Sequence, residues 1–317
     1  MTILVTGSAG HLGEALMRTL RAAGRPARGL DLLPSPFTTD VGSILDRAFV
    51  RGCLEGVLAV IHSATLHKPH VATHSRQGFV DTNVSGTLTL LEAALEAGVQ
   101  AFVYTSTTSA FGSALTPAPG ESAAWITEGV TPVPRNIYGA TKLAAETLCE
   151  LFHRDQGLPV VVLRTSRIFP EADDNAAVAE AYDLANVQAN ELLYRRTDIE
   201  DVVDAHLLAL EKAREIGFGR YIVSATTPFA QDNLPELRVD APAVVRRLFP
   251  DADRLYAERG WRLFPSLDRV YVNDRARAAL GWTPKHDFRH VLDCLRTGED
   301  FRSELAREVG SKGYHRG

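Results

Sequence analysis

The sequence contains little cysteine: Cys53, Cys149 and Cys294 are its three thiols, and they lie far apart in 317 residues. Their odd number and their spacing exclude a disulfide framework and match no metal-binding motif. We therefore expect three reduced thiols in a cytoplasmic protein. No apolar run approaches the ~18 residues that a membrane span needs, and Met1 leads directly into a strand-like run. We accordingly expect neither a membrane segment nor a signal peptide.

An excess of positive charge is also missing. The chain has 34 Lys and Arg residues against 39 Asp and Glu residues, which gives a formal net charge of −5, and no basic stripe is visible. This balance argues against a nucleic-acid partner. With 45% hydrophobic and 23% charged residues, the composition is that of a globular protein with a sizeable core.

A glycine-rich turn opens the chain at Thr2–Gly13, TILVTGSAGHLG. A strand-like run precedes Gly7, Gly10 and Gly13, and a helical pattern follows them. This is the context of a pyrophosphate cradle, because glycine permits the tight turn and leaves the backbone N–H groups open to approach. Asp31 ends the next apolar run. A carboxylate there can accept both ribose hydroxyls and would repel a 2′-phosphate, so the pattern predicts NAD rather than NADP.

Strand-like runs alternate with helical patterns, which predicts βαβ units and a parallel sheet. The strand-like runs after the first are Ala27–Leu30, Val57–Ile61, Ala101–Thr105, Val160–Leu163 and Tyr221–Val223. Helical patterns cover Ser43–Leu54, Phe79–Ala97, Ile137–His153, Ala176–Tyr194, Asp201–Glu215, Ala241–Leu248 and Asp274–Leu280. We predict an α/β protein with a Rossmann-type doubly wound parallel sheet and a smaller C-terminal substrate-binding lobe.

The length suits two domains, or one large domain with a lobe. We expect an NAD-binding domain at 1–165 with returning segments near 200–224 and 269–273. The discontinuous substrate-binding lobe would comprise about 166–199 and 225–300. The tail, 301–317, is polar, and the sequence leaves open whether it is poorly ordered or forms an arm for a partner.

Tyr138 and Lys142 are four residues apart near the start of a predicted helix, so both side chains lie on one face. A nearby ammonium should lower the pKa of a tyrosine phenol from its usual ~10 and make it an acid/base near neutral pH. Thr107 follows the strand-like run Ala101–Thr105, where its hydroxyl could hydrogen-bond a reacting oxygen. Taken alone, the Tyr/Lys pair could be a solvated helix face, and the threonine could be a turn residue.

Taken together, these motifs make the chain resemble the extended short-chain dehydrogenases/reductases, in the NAD-dependent epimerase/dehydratase group that acts largely on nucleotide sugars. The resemblance covers nearly the whole chain. It rests on TGSAGHLG (6–13), Asp31, HSAT (62–65), NVSGTLTLLEAA (83–94), VYTSTTSAFG (103–112), YGATK (138–142), LRTS (163–166), DIEDVVDAH (198–206) and LGWTP (280–284).

The resemblance implies both a cofactor site and a reaction. Tyr138 would take the proton of a secondary hydroxyl while its carbon gives hydride to NAD, with Lys142 beside it and Thr107 orienting or polarising the substrate oxygen. The implied NAD-binding residues are Gly7, Gly10, His11, Leu12, Gly13, Asp31, Asp40, Val41, Ser63, Ala64, Asn83, Tyr138 and Lys142.

Both residues that follow Thr107 differ from the patterns of related enzymes. Dehydratases of this group carry an acidic pair directly after the threonine, and the related decarboxylases a glutamate two positions after it, whereas this chain has Thr108 and Ser109. Both reactions are therefore disfavoured. Epimerisation fits best, and a plain dehydrogenase of a sugar or sugar acid is the alternative. A non-catalytic NAD sensor or scaffold is a remote alternative, because such proteins usually lose the tyrosine or the lysine.

The substrate class is less defined than the chemistry. The run LRTSRIFPEADD (163–174) departs from the usual nucleotide-sugar pattern, so the substrate could be a sugar, a nucleotide sugar or a sugar acid. Arginines could bind a diphosphate or a carboxylate, or they could form surface ion pairs with Asp198, Glu200 or Asp268. The candidate substrate-binding residues are His67, Thr108, Arg167, Arg196 and Arg262; Arg195 and Arg269 belong to the same arginine group.

His67, His70 and His74 have a spacing that would suit a metal on a helix, but Pro69 interrupts any helix there. We expect no metal. Two predicted helices, Phe79–Ala97 and Ile137–His153, have enough apolar surface for a homodimer contact, as is common in the family that the chain resembles.

Overall fold

A seven-stranded sheet, with every pair of neighbouring strands parallel, forms the centre of the protein. The computed structural model describes residues 1–168, 170 and 176–312. Its strands are β1 (Thr2–Thr6), β2 (Ala27–Asp31), β3 (Asp40–Val41), β4 (Val57–His62), β5 (Ala101–Thr107), β6 (Ala124–Ile126), β7 (Val160–Thr165), β8 (Phe218–Val223) and β9 (Arg269–Tyr271). The sheet order is β3-β2-β1-β4-β5-β7-β8, and β6 pairs with β9 separately. The predicted doubly wound α/β fold is confirmed.

The helices pack around these strands. They are α1 (His11–Ala22), α2 (Arg47–Cys53), α3 (Arg76–Val80), α4 (Gly86–Glu96), α5 (Ile137–Gln156), α6 (Ala176–Ala181), α7 (Leu184–Glu191), α8 (Ile199–Ile216), α9 (Leu234–Leu248), α10 (Ala252–Ala257), α11 (Asp274–Leu280), α12 (Phe288–Thr297) and α13 (Glu304–Val309). In the part of the chain that the structure describes, none of them combines the length and the hydropathy that crossing a membrane requires.

The first strand shows how the sheet is buried on both faces. Successive side chains of a strand point to opposite faces. Ile3 and Val5 pack with residues of α1 and α8, whereas Leu4 packs with residues of α2, α4 and α5. All three side chains are fully buried. A strand that is covered on both faces has a continuous apolar sequence, as the run Ile3, Leu4 and Val5 does.

A separate apolar cluster lies in the C-terminal half of the chain. It contains Leu237 and Val244 of α9, Leu255 of α10 and Val291 of α12, together with Leu192 just after α7. These side chains are at most 3% exposed. This cluster lies where the sequence predicts a smaller lobe; the residue bounds of the two domains stay a prediction.

Several predicted helices have different bounds in the structure, and a capping residue explains one of these differences. The helix expected over Ser43–Leu54 begins only at Arg47, because the carboxylate of Asp46 accepts a hydrogen bond from the Phe49 N–H. The helix expected over Ala176–Tyr194 is divided into α6 and α7, since Asp183 has extended backbone angles.

Further differences concern a π-helical turn and the C-terminal segments. The helical pattern at Phe79–Ala97 begins earlier, at Arg76, and contains a π-helical turn at Asp81–Ser85. The sequence did not predict α10, α12 or α13. In the described part of the tail, Phe301 packs in the C-terminal apolar cluster, whereas Val309, which is 3% exposed, packs with side chains of α1 and α8.

Candidate active site

The backbone segments of the glycine turn between β1 and α1 lie very close to one another. Gly7 has a φ of +74°, an angle that side chains disfavour, and its N–H donates to the Leu30 carbonyl at 2.8 Å. A Cβ on Gly13 would lie 1.9 Å from the Gly7 carbonyl oxygen. The first helical N–H groups of α1 follow Gly10, which provides no side-chain cap. The turn therefore presents backbone N–H groups and a helix N-terminus, the combination that binds phosphate.

Asp31 lies at the end of β2, beside the glycine turn. Its two carboxylate oxygens accept hydrogen bonds from the Ala9 N–H at 2.9 Å and the Leu33 N–H at 3.0 Å. These bonds fix the carboxylate at the rim of the cavity that the glycine turn lines. The position is the one from which a carboxylate reaches ribose hydroxyls.

The next two predicted cofactor residues, Asp40 and Val41, are absent from the described lining of that cavity. Asp40 instead forms an ion pair with Arg28 at 2.9 Å, and Val41 is 52% exposed. The chain reaches the cavity just after β3, in residues that the sequence analysis did not select: Gly42, Ser43, Ile44 and Leu45, with Leu32 and Leu33 from the end of β2. Ile44, Leu45, Leu32 and Leu33 provide an apolar surface for a flat ring. The signal available in the sequence was the apolar pair Leu32-Leu33 directly after Asp31.

Ser63 and Ala64, two of the predicted cofactor residues, follow β4 and line the cavity. The Ser63 hydroxyl donates to the Thr6 carbonyl at 2.7 Å, and the Ala64 N–H donates to the Thr6 hydroxyl at 3.2 Å. These bonds tie the end of β4 to the end of β1, and β1 leads directly into the glycine turn.

Asn83 is buried in the π-helical turn and is absent from the described cavity lining. Its side-chain oxygen accepts from the Leu66 N–H and the Thr65 hydroxyl, both at 2.8 Å, and its amide donates to the Thr141 hydroxyl at 3.1 Å. Asn83 therefore joins the loop after β4 to the first turns of α5. This arrangement positions Thr65 and Leu66, which do line the cavity.

Tyr138 and Thr107 meet in the same cavity from two elements. Asn136 caps α5 by accepting a hydrogen bond from the Gly139 N–H at 3.0 Å, and this places Tyr138 in the first turn. Thr107 ends β5, and its hydroxyl also accepts from the Ser109 N–H at 3.1 Å. Burial raises the pKa of Tyr138 to about 12, and the hydrogen bond with Thr107 acts in the opposite direction.

Lys142 lies one turn further along α5 and is 1% exposed. Its ammonium donates to the Thr105 carbonyl at 2.5 Å and lies 4.3 Å from the centre of the Tyr104 ring. Burial lowers the pKa of Lys142 to about 7, although the charge of Glu146 acts in the opposite direction. Burial therefore raises the pKa of Tyr138 in this structure, where the sequence led us to expect a lowering by Lys142.

A single cavity of about 640 Å³ joins these groups. Gly7, Ser63 and Thr107 line it from the carboxyl ends of β1, β4 and β5, which are neighbours in the sheet. The strand order reverses direction at β1, so the cavity lies at the topological switch point where doubly wound sheets bind ligands. Its volume is within the range of cofactor and small-molecule sites.

The comparison with known proteins agrees with this geometry. The sequence model of the NAD dependent epimerase/dehydratase family matches residues 3–223. The chain belongs to this family. The UDP-glucose 4-epimerase of Azospirillum brasilense is 29% identical over 98% of this chain and 94% of that protein. The dTDP-glucose 4,6-dehydratase of Streptomyces antibioticus is 31% identical over 96% of this chain and 94% of that protein.

Two further comparisons concern a partial match and the fold. An uncharacterized protein of Sinorhizobium fredii is 34% identical over 168 residues, and the match spans 40% of that protein. A solved short-chain dehydrogenase/reductase superfamily protein from Agrobacterium tumefaciens with bound NAD has a TM-score of 0.66 and 24% identity, with 97% of this chain and 99% of that chain covered. Membership of the epimerase/dehydratase family makes the protein an NAD-dependent enzyme.

The cavity residues fit NAD. The glycine turn leaves space that a Cβ on Gly13 would fill, and the uncapped start of α1 provides N–H groups for the pyrophosphate. Asp31 would bind the adenosine ribose, with Ile44 and its apolar neighbours at the adenine. The nicotinamide half would then extend towards Ser63 and Tyr138.

The predicted substrate-binding arginines separate into two groups. Arg167 lines the cavity, together with Arg195 and Arg269 of the same arginine group. Arg196 is absent from the described lining. It is 6% exposed and forms an ion pair with the buried Glu191 at 2.8 Å. Arg262 donates to the Ala181 carbonyl at 2.5 Å and is absent from the described lining.

Ion pairs account for much of this arrangement. Glu191, fully buried at the end of α7, pairs with Arg195 at 2.6 Å and with Arg167 at 3.3 Å, as well as with Arg196. Arg269 pairs with Asp268 at 2.5 Å, the partner that the sequence analysis had considered for it. Glu191 was missed, because no local pattern distinguishes it from a surface glutamate.

His67 and Thr108, the other predicted substrate contacts, both line the cavity. The His67 ring lies 6.2 Å from the Tyr138 ring, centre to centre, and burial, followed by the charge of Lys142, lowers the pKa of His67 to about 3. The imidazole beside the phenol is therefore neutral. Among the described residues, no group of His, Cys, Asp and Glu is arranged to hold a metal.

Proposed function

We propose that this enzyme is an epimerase that inverts a secondary alcohol of a sugar or nucleotide sugar. The observation that carries the proposal is that Tyr138, Thr107 and the glycine turn line one cavity. A hydroxyl bound between Tyr138 and Thr107 would lie where a proton can move to or from the phenol oxygen. Bound NAD supplies the hydride acceptor and the positive charge of its oxidised ring, which favours the phenolate.

The protonation state of Tyr138 suits a reaction that runs in both directions. With a pKa of about 12, the phenol is protonated in the free protein and can donate to a carbonyl oxygen. Thr107 holds that oxygen in position, and Lys142 fixes the end of β5 through the Thr105 carbonyl. An epimerase needs no further acid, because the ketone turns over and is reduced again on its other face.

The residues beside Thr107 support epimerisation over elimination. Thr108 and Ser109 line the cavity where dehydratases of this group carry acidic residues. Of the described lining residues, Asp31 alone is acidic, and its strand is three strand spacings from β5, roughly 14 Å. A relative is named as a dTDP-glucose 4,6-dehydratase, so elimination also occurs among related enzymes. A test of the reaction must therefore also detect the product of elimination.

A dehydrogenase of a sugar acid is the second candidate. Arg167, Arg195 and Arg269 line the cavity, and guanidinium groups recognise carboxylates with paired hydrogen bonds. The same groups would also suit a nucleotide diphosphate, as would be expected from the relatedness to UDP-glucose 4-epimerases. The reaction products therefore distinguish the two candidate functions better than ligand affinities do.

The test is to mix the purified protein and excess NAD with nucleotide sugars, free sugars and sugar acids. An epimerase yields an inverted sugar by chromatography without accumulation of reduced nicotinamide absorbance. A dehydrogenase yields continuous NADH, and a dehydratase yields a deoxy-keto sugar. NAD binding without turnover of any compound would contradict both the epimerase and the dehydrogenase.

We also propose a cytoplasmic homodimer. The three cysteines are buried free thiols, which suits a reducing compartment. In the family that the chain resembles, the helices corresponding to α4 and α5 commonly form the dimer contact, and here they lie side by side with Leu95 37% exposed. Sedimentation equilibrium would give twice the chain mass of 34.6 kDa, and a monomeric mass would contradict the proposal.

A further inference from the structure

The C-terminal segment contributes a cation to the cavity of the cofactor. Helix α13 is capped by Ser303, whose hydroxyl donates to Asp198 at 2.5 Å, and Val309 packs with side chains of α1 and α8. These contacts fix the chain on both sides of α13. Lys312, three residues after Val309, lines the same cavity as the glycine turn.

Lys312 reaches the beginning of α1. Its ammonium lies 2.6 Å from one carboxylate oxygen of Glu14, which is in the first turn of α1, and the other oxygen accepts from Arg18 at 2.8 Å. The Glu14 N–H donates to the Gly10 carbonyl at 2.9 Å, so Glu14 lies directly against the glycine turn. Its side chain is 7% exposed.

A carboxylate in this position opposes phosphate binding unless its charge is balanced. The N-terminus of α1 attracts anions. The carboxylate of Glu14 would offset part of this positive potential and would repel a pyrophosphate. Lys312 offsets the charge of Glu14 from the side that faces the cavity, whereas Arg18 also pairs with Glu308 at 3.3 Å. An ammonium has three donors, so Lys312 can bind Glu14 and still donate to a phosphate oxygen.

We propose that Lys312 completes the pyrophosphate-binding end of the NAD site, and that α13 serves to deliver it there. The C-terminal segment is then a working part of the cofactor site. Residues 1–31 provide the cradle and Asp31, and the far end of the chain provides the cation.

The test compares affinities of Lys312→Gln and wild type for NAD, ADP-ribose and adenosine by calorimetry, with adenosine measured by displacement. We expect the variant to bind NAD and ADP-ribose roughly three- to tenfold more weakly at low ionic strength. Adenosine, which lacks phosphate, should bind both proteins equally. The difference for NAD should shrink as salt is added, because the interaction is partly exposed to solvent.

Two control variants accompany this measurement. Lys212→Gln removes an equal charge from an exposed pair with Glu215 on α8 and should leave all three affinities unchanged. Lys312→Arg keeps the charge and should retain most of the affinity for NAD. Unchanged NAD affinity in Lys312→Gln would overturn the proposal. So would an equal loss for adenosine and ADP-ribose, because that result indicates a structural effect on the whole cavity.

Discussion

Tyr138 and Lys142 illustrate what spacing determines at the scale of single residues. Their separation of one helical turn places both side chains towards β5. The surroundings of each group then set its protonation: burial raises the pKa of Tyr138 to about 12 and lowers that of Lys142 to about 7. In the free protein, Lys142 acts on the backbone of β5 through Thr105, and Tyr138 interacts with Thr107.

Removing the Tyr138 hydroxyl should separate catalysis from cofactor binding. We expect Tyr138→Phe to lower turnover by a factor of about 10²–10⁴, the usual contribution of a positioned acid/base. Its affinity for NAD should change less than about tenfold, because one hydrogen bond at most is lost. Tyr256→Phe, a buried tyrosine in the C-terminal apolar cluster, is the matched control. Full biological activity in Tyr138→Phe would instead favour a non-catalytic NAD-binding protein.

Lys142 should also reduce stability at neutral pH. Its pKa is about 7 in the folded protein and near 10.5 in the unfolded chain, so the unfolded chain holds more protons between these values. The destabilisation is therefore complete below pH 7 and disappears as the pH rises towards 10.5.

The corresponding variant is Lys142→Met, which keeps the side-chain length without the charge. We expect it to be inactive and to have a higher melting temperature than wild type at pH 7. The difference should narrow with rising pH. A difference that stays constant between pH 7 and 10 would contradict the assignment of a lowered pKa.

At the scale of elements, Gly10 and Gly13 of the glycine turn should tolerate a side chain to different degrees. A Cβ on Gly13 meets the Gly7 carbonyl oxygen at 1.9 Å, whereas a Cβ on Gly10 meets it at 3.2 Å. We expect Gly13→Ala to destabilise the fold by about 1–3 kcal/mol and to abolish measurable NAD binding, with a smaller effect for Gly10→Ala. Gly52→Ala in α2, where nothing lies within 4 Å, is the control. Thermal unfolding and NAD titration measure both effects, and equal losses in Gly10→Ala and Gly13→Ala would contradict the steric account.

The sequence predicted those features that depend on residues close together in the chain. The glycines, Asp31 and the buried strands follow from backbone angles, carboxylate chemistry and apolar runs. The π-helical turn around Asn83 could not be predicted, because its side chain is satisfied by Leu66 and Thr141, which are distant in sequence. The pair of Arg196 with Glu191 was missed for another reason: Glu191 ends α7 and Arg196 lies beyond it, so helical spacing does not relate the two residues.

At the scale of the whole molecule, a buried carboxylate joins α8 to the segment after α11. Asp201 is fully buried and accepts hydrogen bonds from the N–H groups of Lys285 and His286. The His286 ring also faces Asp201 at 3.3 Å, Glu200 at 3.5 Å and the ring of His290 at 4.9 Å. Burial lowers the pKa of His286, but the hydrogen bond with Asp201 and the nearby carboxylate charges outweigh burial and raise it above 6.5.

This contact should make stability depend on pH. Because the pKa of His286 is higher in the folded protein, its stabilising contribution is complete below pH 6.5 and is lost as the pH rises through the raised value. We expect His286→Gln to lower the melting temperature most at pH 6, with a smaller difference at pH 8. A difference that grows from pH 6 to pH 8 would show that His286 is not stabilised as the cation.

The fold as a whole was accessible from the sequence, whereas the second half of the cavity was not. Parallel strands bring Gly7, Ser63 and Thr107 to one edge of the sheet, and the strand pattern alone predicts that meeting. Arg195 and Arg269 reach the cavity from segments that are far apart in the chain, and Lys312 does so from the tail. Their positions depend on tertiary contacts such as those of Glu191 and Val309, which no periodicity encodes.

The central claim is that hydride leaves one carbon of the sugar and returns to the same carbon. The direct test uses the compound that the protein turns over, labelled with deuterium on the carbon that carries the reacting hydroxyl, with unlabelled NAD. Mass spectrometry of the inverted product should show the deuterium retained at that carbon, with no deuterated NADH in solution. Deuterium recovered in free NADH, or lost to solvent, would contradict the epimerase account.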